Sequence, residues 1–321
     1  MRLTVDFLDD GYKGPALGLG HPMIEYNDGP LAPTAEICAE ILKHAWSSSF
    51  ISDRDPYKAP VMWKSELYEE GKKYRIGYYT DDGWFTAAPG CVRMVHEAKE
   101  KLERMGHTLV PFTPPDLTHF CRVYFGALAL DGASEMMGSM VDDIAPPIFL
   151  SALFTLRLPI LVQRAIARIF GLLGYWRIAV FGRAMVRNTH ELHDNYKWIQ
   201  NYRLRFVEEM KKLNVDLLLT PANPLPAPPH DVPLLISTAA CYTGLYNLLD
   251  FGGGTTKFGV WTEEDEKALE NYPTSDPWYK IAKEGSKDSV GLPLGVHVAC
   301  PPFHEEAMLR VLVDLEKGEE K

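Results

Sequence analysis

Cysteine is scarce and scattered in this sequence: Cys38, Cys91, Cys121, Cys241 and Cys300 are an odd set of five in 321 residues, with no CxxC pair and no histidine at ligand spacing. A disulfide framework and a zinc site are therefore excluded as organising features. Reduced thiols of an intracellular protein are expected instead. Positive charge is also in deficit, and a net charge of −10 leaves no electrostatic footprint for nucleic acid. Long apolar runs are missing. The uncharged stretch from Ile144 to Leu156 falls short of the roughly 20 residues that cross a bilayer, and Pro146 and Pro147 allow helix only after them. The first ten residues contain acids and no apolar core, so no signal peptide or anchor is expected there.

A local absence carries more information. Between Ile144 and His190 there is no Asp or Glu, while Arg157, Arg164, Arg168, Arg177, Arg183 and Arg187 all fall inside it, so a segment of +6 sits in a chain that holds −16 elsewhere. At about 100° per residue, Arg157, Arg164 and Arg168 share one face and Leu158, Ile160, Leu161, Val162, Ile166, Ile169 and Phe170 cover the rest. Pro159 suits a first turn, which starts this helix near Leu158, and Gly171 and Gly174 interrupt it. Tyr175 and Trp176 supply rings that favour a headgroup level. Two readings fit. One is a helical hairpin or cap lying in one leaflet, with membrane lipids as partner and Arg157, Arg164, Arg168 and Trp176 as its contacts. The other is a buried helix pair whose arginines reach out to water.

The ordinary composition, with 46% hydrophobic and 24% charged residues, argues for a globular chain of one large domain or two smaller ones. Tyr74 to Tyr79 reads as a strand, Cys91 to Met105 as a helix closed by Gly106, and His107 to Phe112 as a second strand, which together make a β-α-β unit. An earlier helix runs from Thr34 to Trp46, Asp116 is expected to cap a helix towards Met140, and a long helix spans about Thr189 to Leu213. Val215 to Thr220 is a buried strand, Cys241 to Phe251 a short helix that runs into Gly252-Gly253-Gly254, and the acidic stretch that follows to Asp288 is expected to be turn-rich. A strand around Val296 and a closing helix from Phe303 to Leu315 complete an α/β chain with a mixed, twisted sheet flanked by helices.

Short motif matches fail on context. Asp250-Phe251-Gly252 lacks every companion of a kinase site, Gly252 to Lys257 lacks phosphate-loop spacing, and His190-Glu191-Leu192-His193 lacks a third ligand. Ser47-Ser48-Ser49 has no glycine elbow, so no metal, cofactor or activated nucleophile is expected.

Five runs in order nevertheless carry a resemblance: Gly106 to Phe112, Leu218-Leu219-Thr220-Pro221, Tyr242 to Asn247, Leu249-Asp250-Phe251, and Ser289 to Pro293. Together with Gly29-Pro30-Leu31 they resemble the fatty acid amide hydrolases of the amidase-signature family. The resemblance implies that residues 1–321 form a single partial domain of that fold, with 144–190 as an inserted membrane-binding cap and fatty acyl amides as partners. It places Ser237, Ala240, Gly244 and Trp278 on the acyl-channel wall, with Gly244 standing where a bulky apolar residue is usual, which would widen or blunt the channel. Family members use a Ser-Ser-Lys triad in a glycine- and serine-rich signature, and no such signature occurs in this sequence. The expectation is thus a portion of a lipid amidase that is inactive alone, held to the cytosolic face of a membrane. The alternative is a non-catalytic lipid-binding or interaction protein. Loss of neighbouring strands is expected to leave the strands at Val215 and Leu294 without partners and to favour self-association.

Overall fold

A computed structural model of the chain describes residues 23–24, 29–48, 61–132, 134 and 156–318. The first twelve residues of the basic segment, 144–155, and the expected helix end at Met140 lie outside them, as does the Pro-punctuated linker of 53–60. Among the described residues no helix is long and apolar enough to cross a membrane.

Five strands form one mixed sheet in the order β2-β1-β3-β5-β4: β1 (Arg75–Tyr78), β2 (Thr108–Pro111), β3 (Leu217–Pro221), β4 (Gly252–Val260) and β5 (Pro293–Cys300). β1 runs parallel to both β2 and β3, while β5 is antiparallel to β3 and β4. The expected β-α-β unit is present. Its helix ends at a turn in which Gly106 takes φ +93 and the His107 amide donates to Leu102 O at 3.0 Å, closing the carbonyls that a helix C-terminus leaves open. Leu217, Leu218 and Leu219 of β3 are all fully buried, as expected of a central strand covered on both faces.

Beside the sheet lie α1 (Ala35–Ser47), α2 (Pro89–Arg104), α3 (Leu117–Leu128), α4 (Ile160–Leu172), α5 (Trp176–Phe181), α6 (Thr189–Lys212), α7 (Cys241–Leu249), α8 (Glu263–Ala268), α9 (Pro277–Gly285) and α10 (Glu305–Glu316), with shorter turns between them. α2 packs on β3 and β5, and α10 on β4 and β5. Tyr246 of α7 lies 5.0 Å from the His297 ring of β5, and Phe206 of α6 meets Phe112 at 5.3 Å.

Three expectations need correction. The strands at Val215 and Leu294 do not lack neighbours, because β3 lies between β1 and β5, and β5 between β3 and β4. The free edges are β2 and β4 among the described residues. Asp116 precedes α3 but does not cap it with its side chain, since its backbone is left-handed at φ 46. The stretch expected to be turn-rich holds most of a nine-residue strand and two helices.

Glycine hides that strand from propensity, yet packing demands it. A Cβ at Gly252, Gly253, Gly254 or Gly259 would come within 2.5–2.7 Å of Cys300, His297, Leu312 or Met94. The helices are started by side chains: Thr262 and Asp265 close a reciprocal capping box on α8, and Asp276 accepts from Tyr279 N at 3.0 Å on α9.

Candidate functional site

The four wall residues named from the resemblance fall on three elements, the 3-10 turn Ser237–Ala240, α7 and α9, and a line of aromatic rings connects the last two. Trp278, half-buried on α9, meets Phe181 of α5 edge to face at 6.0 Å, and Phe181 meets Phe125 of α3 at 5.2 Å. Phe125 adjoins Tyr124 at 5.4 Å, and the Tyr124 ring presses on Gly244 of α7 so closely that a Cβ there would sit 2.4 Å from it. Edge contacts of this kind contribute about 0.5–1.5 kcal/mol each beyond burial. One continuous wall therefore joins Trp278 to Gly244. No widened channel opens at Gly244, because Tyr124 fills the space of the missing side chain. Ser237 and Ala240 stand on the 3-10 turn before α7, both exposed, in line with exposed Thr243 and Asn247.

The basic segment divides its arginines between two tasks. Arg177 points inward and is buried: it pairs with Asp276 at 2.8 Å, donates to the Tyr279 hydroxyl at 2.6 Å and to Trp84 O, and lies 4.4 Å from the Trp176 and Tyr279 ring centres. It ties α5 to α9. Arg164 reaches Glu191 of α6 at 3.2 Å, and Arg187 bonds the same carboxylate. Burial pushes Glu191 up, but bonds from Arg187 and the charge of Arg164 outweigh it and hold the carboxyl below its ordinary value. Of the three arginines expected to meet headgroups, Arg164 is thus engaged in an ion pair. Arg157, Arg168 and Arg183 are exposed and pair with no carboxylate among the described residues.

α4 begins at Ile160 rather than near Leu158, since Pro159 takes an extended backbone at the cap and Gln163 Nε2 donates back to Leu158 O at 2.8 Å. Gly174, at φ +87, turns the chain into α5. The two helices then pack through small residues, with Gly171 against Ala179 and Gly182 against Ala167. Such close packing buries little of α4. Its outer face stays open, with Leu161 76%, Leu172 89% and Leu173 64% exposed and Ile169 beside them. Arg164 and Arg168 lie along one margin of this face at about 100° per residue. Trp176 has one edge in solvent and the other against Trp84 at 5.2 Å.

Acid-base chemistry is not assembled among the described residues. Cys91, Cys121, Cys241 and Cys300 are buried, and burial raises each thiol, with Cys91 reaching about 12. Thr220 Oγ1 lies 3.5 Å from His297 Nδ1 inside the core, and burial lowers that imidazole to about 4. No group of three His, Cys, Asp or Glu residues could hold a metal among the described residues. Asp82, in the loop beneath Trp84, accepts from the Trp84 and Phe85 amides at 2.8 Å, but its Oδ2 is buried without a partner. Desolvation pushes its carboxyl up to about 7 against those two bonds.

The sequence model of the Amidase family matches residues 15–309. The chain belongs to that family. It is 41% identical over 299 residues to fatty acid amide hydrolase 1 of Caenorhabditis elegans, covering 92% of this chain and 52% of that one. To fatty-acid amide hydrolase 1 of Sus scrofa it is 29% identical over 318 residues, covering 96% of this chain and 53% of the relative. A solved fatty acid amide hydrolase shares the fold at a TM-score of 0.70 and 20% identity, over 93% of this chain and 49% of that structure. The chain spans about half the length of the curated relatives it matches.

Proposed function

We propose that this chain supplies the acyl-binding wall and the membrane-resting cap of an amidase acting on long-chain fatty acid amides. The observation that carries the reading is the double duty of α5. Trp176 at its start borders the exposed apolar face of α4, and Phe181 at its end packs on Trp278, so one six-residue helix links the outer greasy surface to the aromatic wall. An acyl chain leaving a bilayer meets apolar surface along that path. Ser237, Ala240, Gly244 and Trp278 then line the wall, while Arg157, Arg168 and Trp176 stand at the headgroup level. Arg164 serves the cap indirectly through Glu191.

Hydrolysis needs an activated nucleophile and an oxyanion hole, and neither the glycine- and serine-rich signature nor a paired nucleophile is found in the sequence or among the described residues. Loss of a triad costs several orders of magnitude in rate. This polypeptide by itself is therefore a binding component. Two readouts on the purified chain test the proposal: oleamide turnover with fluorophosphonate labelling, and co-sedimentation with vesicles. No turnover, no labelled serine, and binding that is lost in a Leu161→Asp/Leu172→Asp variant are expected. Stoichiometric labelling of a serine would refute the catalytic part. Undiminished vesicle binding by the double Asp variant would refute the cap.

A further inference from the structure

Beside the exposed face of α4 lies a cleft of about 690 Å³ between α4, the chain of residues 183–187, and α6, with Arg122 of α3 at its rim. Five arginines line it, Arg122, Arg164, Arg168, Arg183 and Arg187, against the carboxylates of Glu191 and Asp194. Glu191 already neutralises Arg164 and Arg187, and Asp194 lies 3.2 Å from His190 Nδ1. Arg168 and Arg183 find no carboxylate among the described residues, and the Nε–H of Arg164 is buried with no acceptor. Two unpaired guanidinium groups beside an Arg164 Nε–H that finds no acceptor among the described residues suit an anion with several acceptor oxygens.

Shape narrows the anion. Arg168 and Arg183 also border a second cleft of about 460 Å³, walled by Trp176, Leu172 and Val180, so basic and apolar halves share the same two arginines. A guanidinium fork matches two phosphate oxygens, and a terminal phosphate offers three to several forks at once. We propose that the cleft binds the phosphate monoester headgroup of a membrane lipid, with the adjoining apolar groove taking the start of its acyl region. The proposal rests on the membrane-resting reading above and adds to it a selective headgroup site.

The full chain is compared on phosphatidylcholine vesicles, alone or doped with phosphatidate or phosphatidylserine to equal surface charge, with soluble glycerol 3-phosphate as competitor. Binding to phosphatidate vesicles at least about ten-fold tighter than to phosphatidylserine vesicles is expected, because diffuse charge alone treats the two alike. An Arg168→Gln/Arg183→Gln variant, which breaks no ion pair among the described residues, weakens phosphatidylserine binding by roughly 30-fold and phosphatidate binding by roughly 300-fold, and so erases that preference. Arg157→Gln, outside the cleft, weakens binding to both anionic vesicles by about five-fold and keeps the preference. Equal binding to the two anionic vesicles overturns the headgroup site, and if neutral vesicles are still bound, the cap reading stands without it. No binding to any vesicle overturns both. Release from vesicles by glycerol 3-phosphate at concentrations near the lipid's own would assign the site to a free phosphate ester and overturn the lipid assignment.

Discussion

Arg177 is the strut between the α4–α5 pair and α9, and its removal is the sharpest test of how they are joined. Its side chain is 10% exposed and that of Asp276 6%, with 2.8 Å between them. Replacing Arg177 by Met keeps much of the volume but strands the Asp276 carboxylate in a dry site, which costs about 3–5 kcal/mol. The hydroxyl of Tyr279 and the carbonyl of Trp84 lose a donor as well. Against a total of roughly 5–15 kcal/mol for a folded domain, this is a large share. Asp276→Asn in the same chain removes the stranded charge, while the amide oxygen still accepts from Tyr279 N to start α9. The double variant Arg177→Met/Asp276→Asn should therefore recover about 2 kcal/mol or more of the single loss. Urea unfolding followed by circular dichroism and by tryptophan fluorescence measures the cycle, since Trp84 and Trp176 report the joint directly. A coupling below about 0.5 kcal/mol would show that the pair is not a strut and that α5 is held by packing alone.

Gly244→Leu should cost about 1–3 kcal/mol by overpacking against Tyr124, yet be neutral or stabilising in a Tyr124→Ala background, where the ring that blocks it is gone. An equal cost in both backgrounds, measured by urea unfolding, would remove Tyr124 as the filler of that space. Asp82 gives a pH signature: its folded carboxyl titrates near 7 against an ordinary value of 3.8, so the folded state binds the extra proton and stability falls as pH rises between those values. Asp82→Asn keeps the acceptor for the Trp84 and Phe85 amides and should flatten the pH dependence of stability over that window. A slope unchanged in the Asn variant would mean that another group carries it.

Much of the fold was legible because its signals are local. The β1-α2-β2 unit shows in the change of apolar period between Tyr74 and Phe112, and β3 in the buried run from Leu217. Position in the sheet was not legible, since nothing within β3 or β5 says that they pair with each other. β4 was missed for a different reason. Its glycines are penalised by every strand scale, and they are required only by Cys300, His297, Leu312 and Met94, which lie far away in the sequence. The Thr262 to Asp265 spacing was a readable start signal that the acidic composition around it obscured. At the site, the resemblance named Trp278 and Gly244, but Phe181, Phe125 and Tyr124, which join them, sit on helices whose faces sequence alone did not orient. The burial of Arg177 was not legible, because its partner Asp276 is 99 positions away.

The ion pairs change which force would hold the proposed cap to a bilayer. Six arginines near an anionic surface would contribute about 6 kcal/mol, but only Arg157, Arg168 and Arg183 are left unpaired among the described residues, which brings the figure to about 3 kcal/mol. The outer face of α4 offers Leu161, Ile169, Leu172 and Leu173, all more than half exposed. At about 1.5–3 kcal/mol for each side chain taken fully out of water, insertion of these four exceeds the charges even at the lower figure. In the proposed orientation apolar insertion would set the affinity, and Arg168 and Arg183 would set the preference among headgroups. The ion pairs of Arg177 and Arg164 have the opposite role. They hold α5 to α9 and α4 to α6, and so fix the helices that carry the exposed apolar face.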